Sequence, residues 1–233
     1  MDNKLTFRQG FKDSLPTCIG YLSVALAFGV LAVQKGLPLW APPLLSVTCL
    51  SGTGQFAAID LLGTLASYTE IACAILIINA RYFLMSVSLS QKLPSELRLW
   101  QRLIIAFGNT DENFAIAMSK KCALNFPYLA GLILCAFMGW VGGTLIGTFA
   151  GNIIPEILSS AFGISLYGMF LAIIIPPARD SKAVLFTILI SAIMSFIIYF
   201  AFKFISSGWS IIICGIISSV VAAIFFPLED NDE

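Results

Sequence analysis

Apolar residues in this chain run in long blocks separated by short polar stretches. Eight blocks stand out, at about 15–33, 41–65, 68–90, 101–119, 126–150, 156–177, 182–203 and 209–227. Each reaches roughly the 20 residues a helix needs to cross the hydrocarbon core of a bilayer. The ten prolines, Pro16, Pro94, Pro127, Pro155 and Pro227 among them, fall at the block edges, where a helix can start or stop without losing an internal hydrogen bond.

Two blocks are not ordinary spans. Ser51-Gly52-Thr53-Gly54-Gln55 interrupts the second and Phe107-Gly108-Asn109-Thr110-Asp111-Glu112-Asn113 the fourth. Helix propensity is poor there, and freed backbone groups at membrane depth are tolerated only against protein or a watery cavity. Loop charges bear on whether these blocks cross. With all eight crossing and the N-terminus inside, Lys4, Arg8, Lys12, Lys120, Lys121, Arg179 and Lys182 are cytoplasmic, against Lys35, Lys92, Arg98, Arg102 and Lys203 outside. If 41–65 and 101–119 enter and return instead, Lys92, Arg98 and Arg102 move inside, leaving only Lys35 and Lys203 out. The positive-inside rule favours the second arrangement, while a kinked but complete helix remains the alternative for either block. The predicted fold is all-α: a polytopic helical membrane protein with about six full spans plus two broken or re-entrant helical elements. It forms one membrane-transport domain over 1–233, with a cytoplasmic N-terminal segment at 1–13 and an acidic C-terminal tail at 228–233.

Composition agrees, since 58% of residues are hydrophobic, 11% are charged and the mean hydropathy is +0.93. A soluble core cannot hold that much apolar surface. The thirteen basic and thirteen acidic residues cancel, leaving nucleic-acid binding without a basic patch. Six scattered cysteines without a C-x-x-C pair, and no histidine, argue against disulfide frameworks, metal sites and haem, so no cofactor is expected. The basic stretch before the first block also begins like a signal peptide. Ala25-Leu26-Ala27, the nearest thing to a cleavage site, lies inside the apolar run, which reads as an uncleaved first span.

Ionisable groups inside a membrane cost about 2.5–3.5 kcal/mol each on insertion scales and usually mark function. Here they are Asp60, Arg81, Asp111 and Glu112. Arg81 needs a buried partner, and Asp111 and Glu112 are the natural suppliers, with Asp60 behind them. The cluster reads either as a structural ion pair or as part of a substrate or proton pathway. Gly52, Thr53 and Gly54 offer backbone N–H donors to a carboxylate, with Ser51 and Gln55 adding side-chain bonds; a glycine packing site is the alternative. Asp111 directly follows the second break and is the preferred proton carrier, and Glu112, about 100° away on a resumed helix, is the second candidate. Gly139, Gly143, Gly147 and Gly151 put three overlapping G-x-x-x-G steps on one helix face, for close packing within the chain or between subunits. No phosphate loop, zinc-protease or serine-hydrolase motif occurs, so the chain does not read as an enzyme.

Several stretches together resemble the AzlC/YgaZ family of branched-chain amino acid exporters: Gly10-Phe11, Leu15-Pro16, Ala27-Phe28-Gly29, Gly52-Thr53-Gly54-Gln55-Phe56, Asn79-Ala80-Arg81-Tyr82, Ala106 to Phe114, Gly142-Gly143 and Gly147. The resemblance covers the N-terminal half closely and the rest by hydropathy. It implies a permease subunit of the bacterial inner membrane that exports branched-chain amino acids, and methionine, with a small AzlD/YgaH-type membrane subunit. The residues proposed for the substrate site are Gly52, Thr53, Gly54, Gln55, Phe56, Asn79, Arg81, Thr110 and Asp111. Phe56, Phe83 and Phe114 lie near the breaks and are candidates for an apolar pocket, or for ordinary core and lipid packing. A passive channel and a structural subunit of a larger complex, or a homo-oligomer, remain open as other classes.

Overall fold

The structure, a computed structural model, describes residues 5–151, 181–202 and 204–226, with scattered positions between 168 and 180. The expected span at 156–177 lies largely outside the described residues, and the tail at 228–233 wholly so. Among the described residues every regular element is a helix: α1 Phe7–Asp13, α2 Leu15–Gln34, α3 Ala41–Thr48, α4 Gly52–Gly63, α5 Tyr68–Ser90, α6 Leu99–Phe107, α7 Asp111–Ser119, α8 Phe126–Ala150, α9 Lys182–Ala201 and α10 Ser207–Phe225. Of these, α2, α5, α8, α9 and α10 are long and apolar enough to cross a bilayer. The second and fourth blocks are each split into two helices, α3 with α4 and α6 with α7, as the glycine-rich breaks predict.

Two compact units form, residues 1–59 with 79–166, and residues 60–78 with 167–233. The first is organised by the pairing of α2 with α8. Gly139 faces Cys18, Gly143 faces Leu22, Gly147 faces Leu26 and Gly151 faces Val30, so both helices advance by four residues together and run parallel. A Cβ on Gly139, Gly143 or Gly147 would overlap the carbonyl oxygen of its partner on α2. The glycine face is therefore filled from within the chain and is not available to a second subunit. From the other side, Gly29 fits against the backbone of Thr144 and Thr148. Upstream, Gly131 lies against Phe7 and Phe11, and Gly10 against Tyr128 and Leu132, which extends the close approach through α1.

Both broken elements turn back within this unit. α3 starts near the end of α2 that carries Gln34, and by Ser46 it has reached Thr144 (2.7 Å), level with Leu22. α4 then carries Gly52 against the Trp140 ring, Phe56 against Phe28 with centroids 5.4 Å apart, and Ile59 into the cluster that holds Ala32. It thus heads back toward the end from which α3 came. The second element enters where Trp100 meets Phe126, the first residue of α8 (5.0 Å), and it leaves at the same end. There Lys92 donates to the carbonyls of Met118 (2.9 Å) and Lys120 (3.2 Å), and Lys120 pairs with Asp13 (2.8 Å). Tyr128 donates to the same Asp13 carboxylate at 2.8 Å. The two hairpins therefore enter from opposite ends of α8.

In the second unit Leu61, Ile71, Ala74 and Ile212 form a small apolar cluster. Beside it Glu70 is buried and receives the Ser206 hydroxyl, and Gly208 leaves room for its carboxylate at the start of α10.

Candidate functional site

The tips of the two hairpins meet at Arg81, midway along α5. Its Nη1 pairs with the Asp111 carboxylate at 2.6 Å, while its Nη2 donates to Thr53 Oγ1 (3.0 Å) and reaches the Tyr82 hydroxyl (3.4 Å). Thr53 is the second residue of α4 and Asp111 the first of α7, so two helix N-termini converge on one guanidinium. Each brings the partial positive charge of a helix N-terminus, an environment suited to an anion. Asp111 offsets part of it. Arg81 and Asp111 stay about one-third exposed, at 32% and 29% of their side-chain surface.

The breaks carry the hydrogen bonds that hold this geometry. Ser51 donates to Asn79 Oδ1 (2.6 Å) and accepts from the Gly54 N–H (3.2 Å), which starts α4. A Cβ on Gly54 would stand 2.8 Å from Ser51 Oγ and 3.1 Å from Asn79 Nδ2, so glycine is needed here for the two side chains to meet. Gln55 donates to the carbonyls of Cys49 (2.5 Å) and Leu45 (3.1 Å) and accepts from the Trp140 indole (3.1 Å). At the second break Thr110 caps α7 by accepting from Asn113 N–H (3.4 Å), and Asn113 Nδ2 holds the Gly108 carbonyl at 2.9 Å. Asn109 donates to Ser86 on α5 at 3.0 Å. A cavity of about 190 Å³ lies between the breaks, lined on one side by Cys49, Leu50 and Ser51 and on the other by Phe107, Asn109 and Thr110.

The sequence candidates sort themselves in space. Arg81, Asp111, Thr53, Asn79, Gly54 and Thr110 come together. Gln55 is nearby, but its amide is taken up in bracing the first break and it is buried. Phe56 packs into the core against Phe28, Phe83 is 72% exposed and Phe114 packs with Leu89 and Ile105. The cavity's apolar lining comes instead from Leu50, Ala106 and Phe107, with the Tyr82 ring. Glu112 has a different partner from Asp111 and receives the Tyr21 hydroxyl. Asp60 is an exposed residue of α4, and Arg81 pairs with Asp111. Tyr21 and Trp140 were not legible as site residues. Each is a single aromatic with a polar tip inside an apolar run, a pattern shared by many residues that only pack.

A family model described as AzlC protein matches residues 16–154. The chain is 27% identical over 234 residues to the inner membrane protein YgaZ of Escherichia coli K12, covering 97% of this chain and 94% of the relative. It is 36% identical over 174 residues to a membrane protein of Archaeoglobus fulgidus, covering 73% and 75%. A third relative is the branched-chain amino acid transport protein AzlC of Bacillus subtilis, 24% identical over 149 residues, covering 63% of this chain and 58% of that one. No solved structure matches the chain significantly.

Proposed function

The chain belongs to the AzlC family of membrane proteins, and on that premise we propose that it is the large subunit of an inner-membrane permease exporting branched-chain amino acids, and methionine. In this reading a small AzlD/YgaH-type membrane subunit completes the transporter and the proton gradient drives it. The observation that carries the proposal is the meeting of two opposed helical hairpins at the Arg81–Asp111 pair. A zwitterion has one charge for each member of that pair: its carboxylate suits Arg81 and the two helix N-termini, its ammonium group Asp111. Leu50 and Phe107 in the adjoining cavity supply the apolar surface that an aliphatic side chain prefers over water.

Sidedness follows from the charged loops. Lys92, Arg98, Arg102, Lys120 and Lys121 cluster at the end of α8 where α1 lies, which makes that end cytoplasmic by the positive-inside rule. The α6–α7 hairpin then enters from the cytoplasm and α3–α4 from the other side, each closing one approach to Arg81.

The test is efflux of labelled leucine from preloaded cells that carry the chain with its small subunit, either one alone, or neither. Export is expected only with both, and Arg81→Ala is expected to abolish it. Equal efflux from cells lacking the chain would refute the transport reading.

A further inference from the structure

We propose that Glu112, held by Tyr21, carries the coupling proton, while Asp111 stays ionised, paired with Arg81 or with the ammonium group of the solute; this rests on the transport reading above. The argument begins with charge. Arg81 and Asp111 form a neutral pair at 2.6 Å, so the positive charge at the site is already matched. Glu112 is the second carboxylate there, and the groups that face it are Tyr21 on α2, Tyr82 on α5 and its own neighbour Asp111, with Arg81 beyond Asp111. Of these only Arg81 is a cation. Among the described residues the ion pairs of Arg81 with Asp111 and of Lys120 with Asp13 do not involve Glu112, so a proton can come and go there without breaking either. Asp111, by contrast, would leave a partly buried guanidinium unpaired each time it took one.

Geometry supplies the second argument. Deprotonated, Glu112 accepts from the Tyr21 hydroxyl; protonated, it gains an O–H of its own and can donate to the tyrosine oxygen, so the bond survives with its direction reversed. One proton is bound and the same one released, with no other group changing its charge. The tyrosine also connects this acid to the opposite hairpin. Its ring meets Trp140 edge-on at 5.4 Å, and the Trp140 indole donates to Gln55, which holds the Cys49 carbonyl at the first break. A shift of Glu112 on protonation therefore bears on both breaks through packed side chains, with Tyr21 as the positioning residue.

The experiment uses everted membrane vesicles from cells making the chain with its small subunit. Two quantities are read: leucine/leucine exchange without a pH gradient, and gradient-driven leucine accumulation across external pH. Glu112→Gln is expected to keep exchange and lose the gradient-driven part, and Asp111→Asn to lose both. Tyr21→Phe removes the hydroxyl that holds Glu112, so the pH profile of gradient-driven accumulation should move while exchange is kept. Gradient-driven accumulation that survives in Glu112→Gln overturns the assignment. So does exchange retained with gradient dependence lost in Asp111→Asn, which would make Asp111 the carrier. If Glu112→Gln fails to assemble, Tyr21→Phe decides, and an unmoved profile refutes the role of the pair. Failure of the wild-type vesicles to exchange leucine is a separate result that sinks the transport reading itself.

Discussion

The seam between α2 and α8 and the meeting point of the two hairpins lie in one compact unit, and they are built from opposite materials. Along the seam, glycines at every fourth position bring backbone onto backbone, with Gly143 and Gly147 set against the carbonyls of Leu22 and Leu26. Such contact is dispersion over a long close-packed surface. At the meeting point the contacts are few, polar and partly open to solvent: an ion pair, two capped breaks and a carboxylate on a tyrosine. Hydrogen bonds and charges of that kind can be exchanged for those of a solute or a proton. The difference separates a frame of close backbone contact from two hairpin tips held by exchangeable polar contacts.

The largest effect is expected where the frame itself is struck. Gly143→Leu forces a side chain into the Leu22 backbone, which cannot yield as a flexible side chain would. The cost should reach or exceed the ~3 kcal/mol upper end of ordinary overpacking. Gly142, one residue away, meets nothing within 4 Å, so Gly142→Leu should leave assembly intact. Thermal unfolding and size-exclusion of the detergent-solubilised protein would compare the two, and equal behaviour would show that the seam does not depend on close approach.

At the meeting point, the brace of the first break is the next most sensitive. Gln55→Leu leaves the Trp140 indole and the Cys49 carbonyl without their recorded partner, at about 1–3 kcal/mol for an orphaned buried group. The melting temperature should fall clearly, but less than for Gly143→Leu. A change in Trp140 fluorescence without loss of assembly would sharpen the contrast between brace and seam.

The ion pair should follow. Because both partners are about one-third exposed, Arg81→Ala and Asp111→Ala should each cost about 1–3 kcal/mol, between the surface and buried limits. The double substitution removes both charges and should cost less than the two losses added. Strict additivity in a double-mutant cycle read by unfolding would show that the residues do not share a site.

Much of this was legible in the sequence because the bilayer constrains it so strongly. Block lengths gave the long helices, glycine clusters gave both breaks, and the placement of Lys92, Arg98 and Arg102 favoured hairpins that return, as the contacts of Lys92 and Trp100 now indicate. Arg81 called for an acid and has Asp111. The rest depended on direction, which spacing does not carry. The sequence left open whether the glycine face met this chain or another, because that needs the register of α2 against α8. Gln55 and Phe56 followed the break closely enough to suggest contact with a solute, yet both side chains turn inward to brace and fill the core. Tyr21 lies 91 positions from Glu112, and only the packing of α2 against the second hairpin joins them.

The smallest expected effect lies at the rim of the unit, where Asp13 ties α1 to the end of α7. The hydrogen bond from Lys120 holds the Asp13 carboxyl below its ordinary value of 3.8, against a smaller opposing effect of burial and with further help from Tyr128. A carboxyl with its folded value depressed stabilises the fold above the unfolded value and loses that contribution as the pH falls through the folded one. The contact should therefore be fully present at neutral pH and weaken only as the pH drops below about 4. Being near the surface it should be worth less than about 1 kcal/mol, and salt should screen it. Lys120→Met is expected to lower stability at pH 7 by less than about 1 kcal/mol and to leave it nearly unchanged once Asp13 is protonated, so the low-pH end of the unfolding profile flattens. An effect at pH 7 as large as that of Arg81→Ala would mean that this rim contact belongs with the polar contacts of the hairpin tips rather than with the frame.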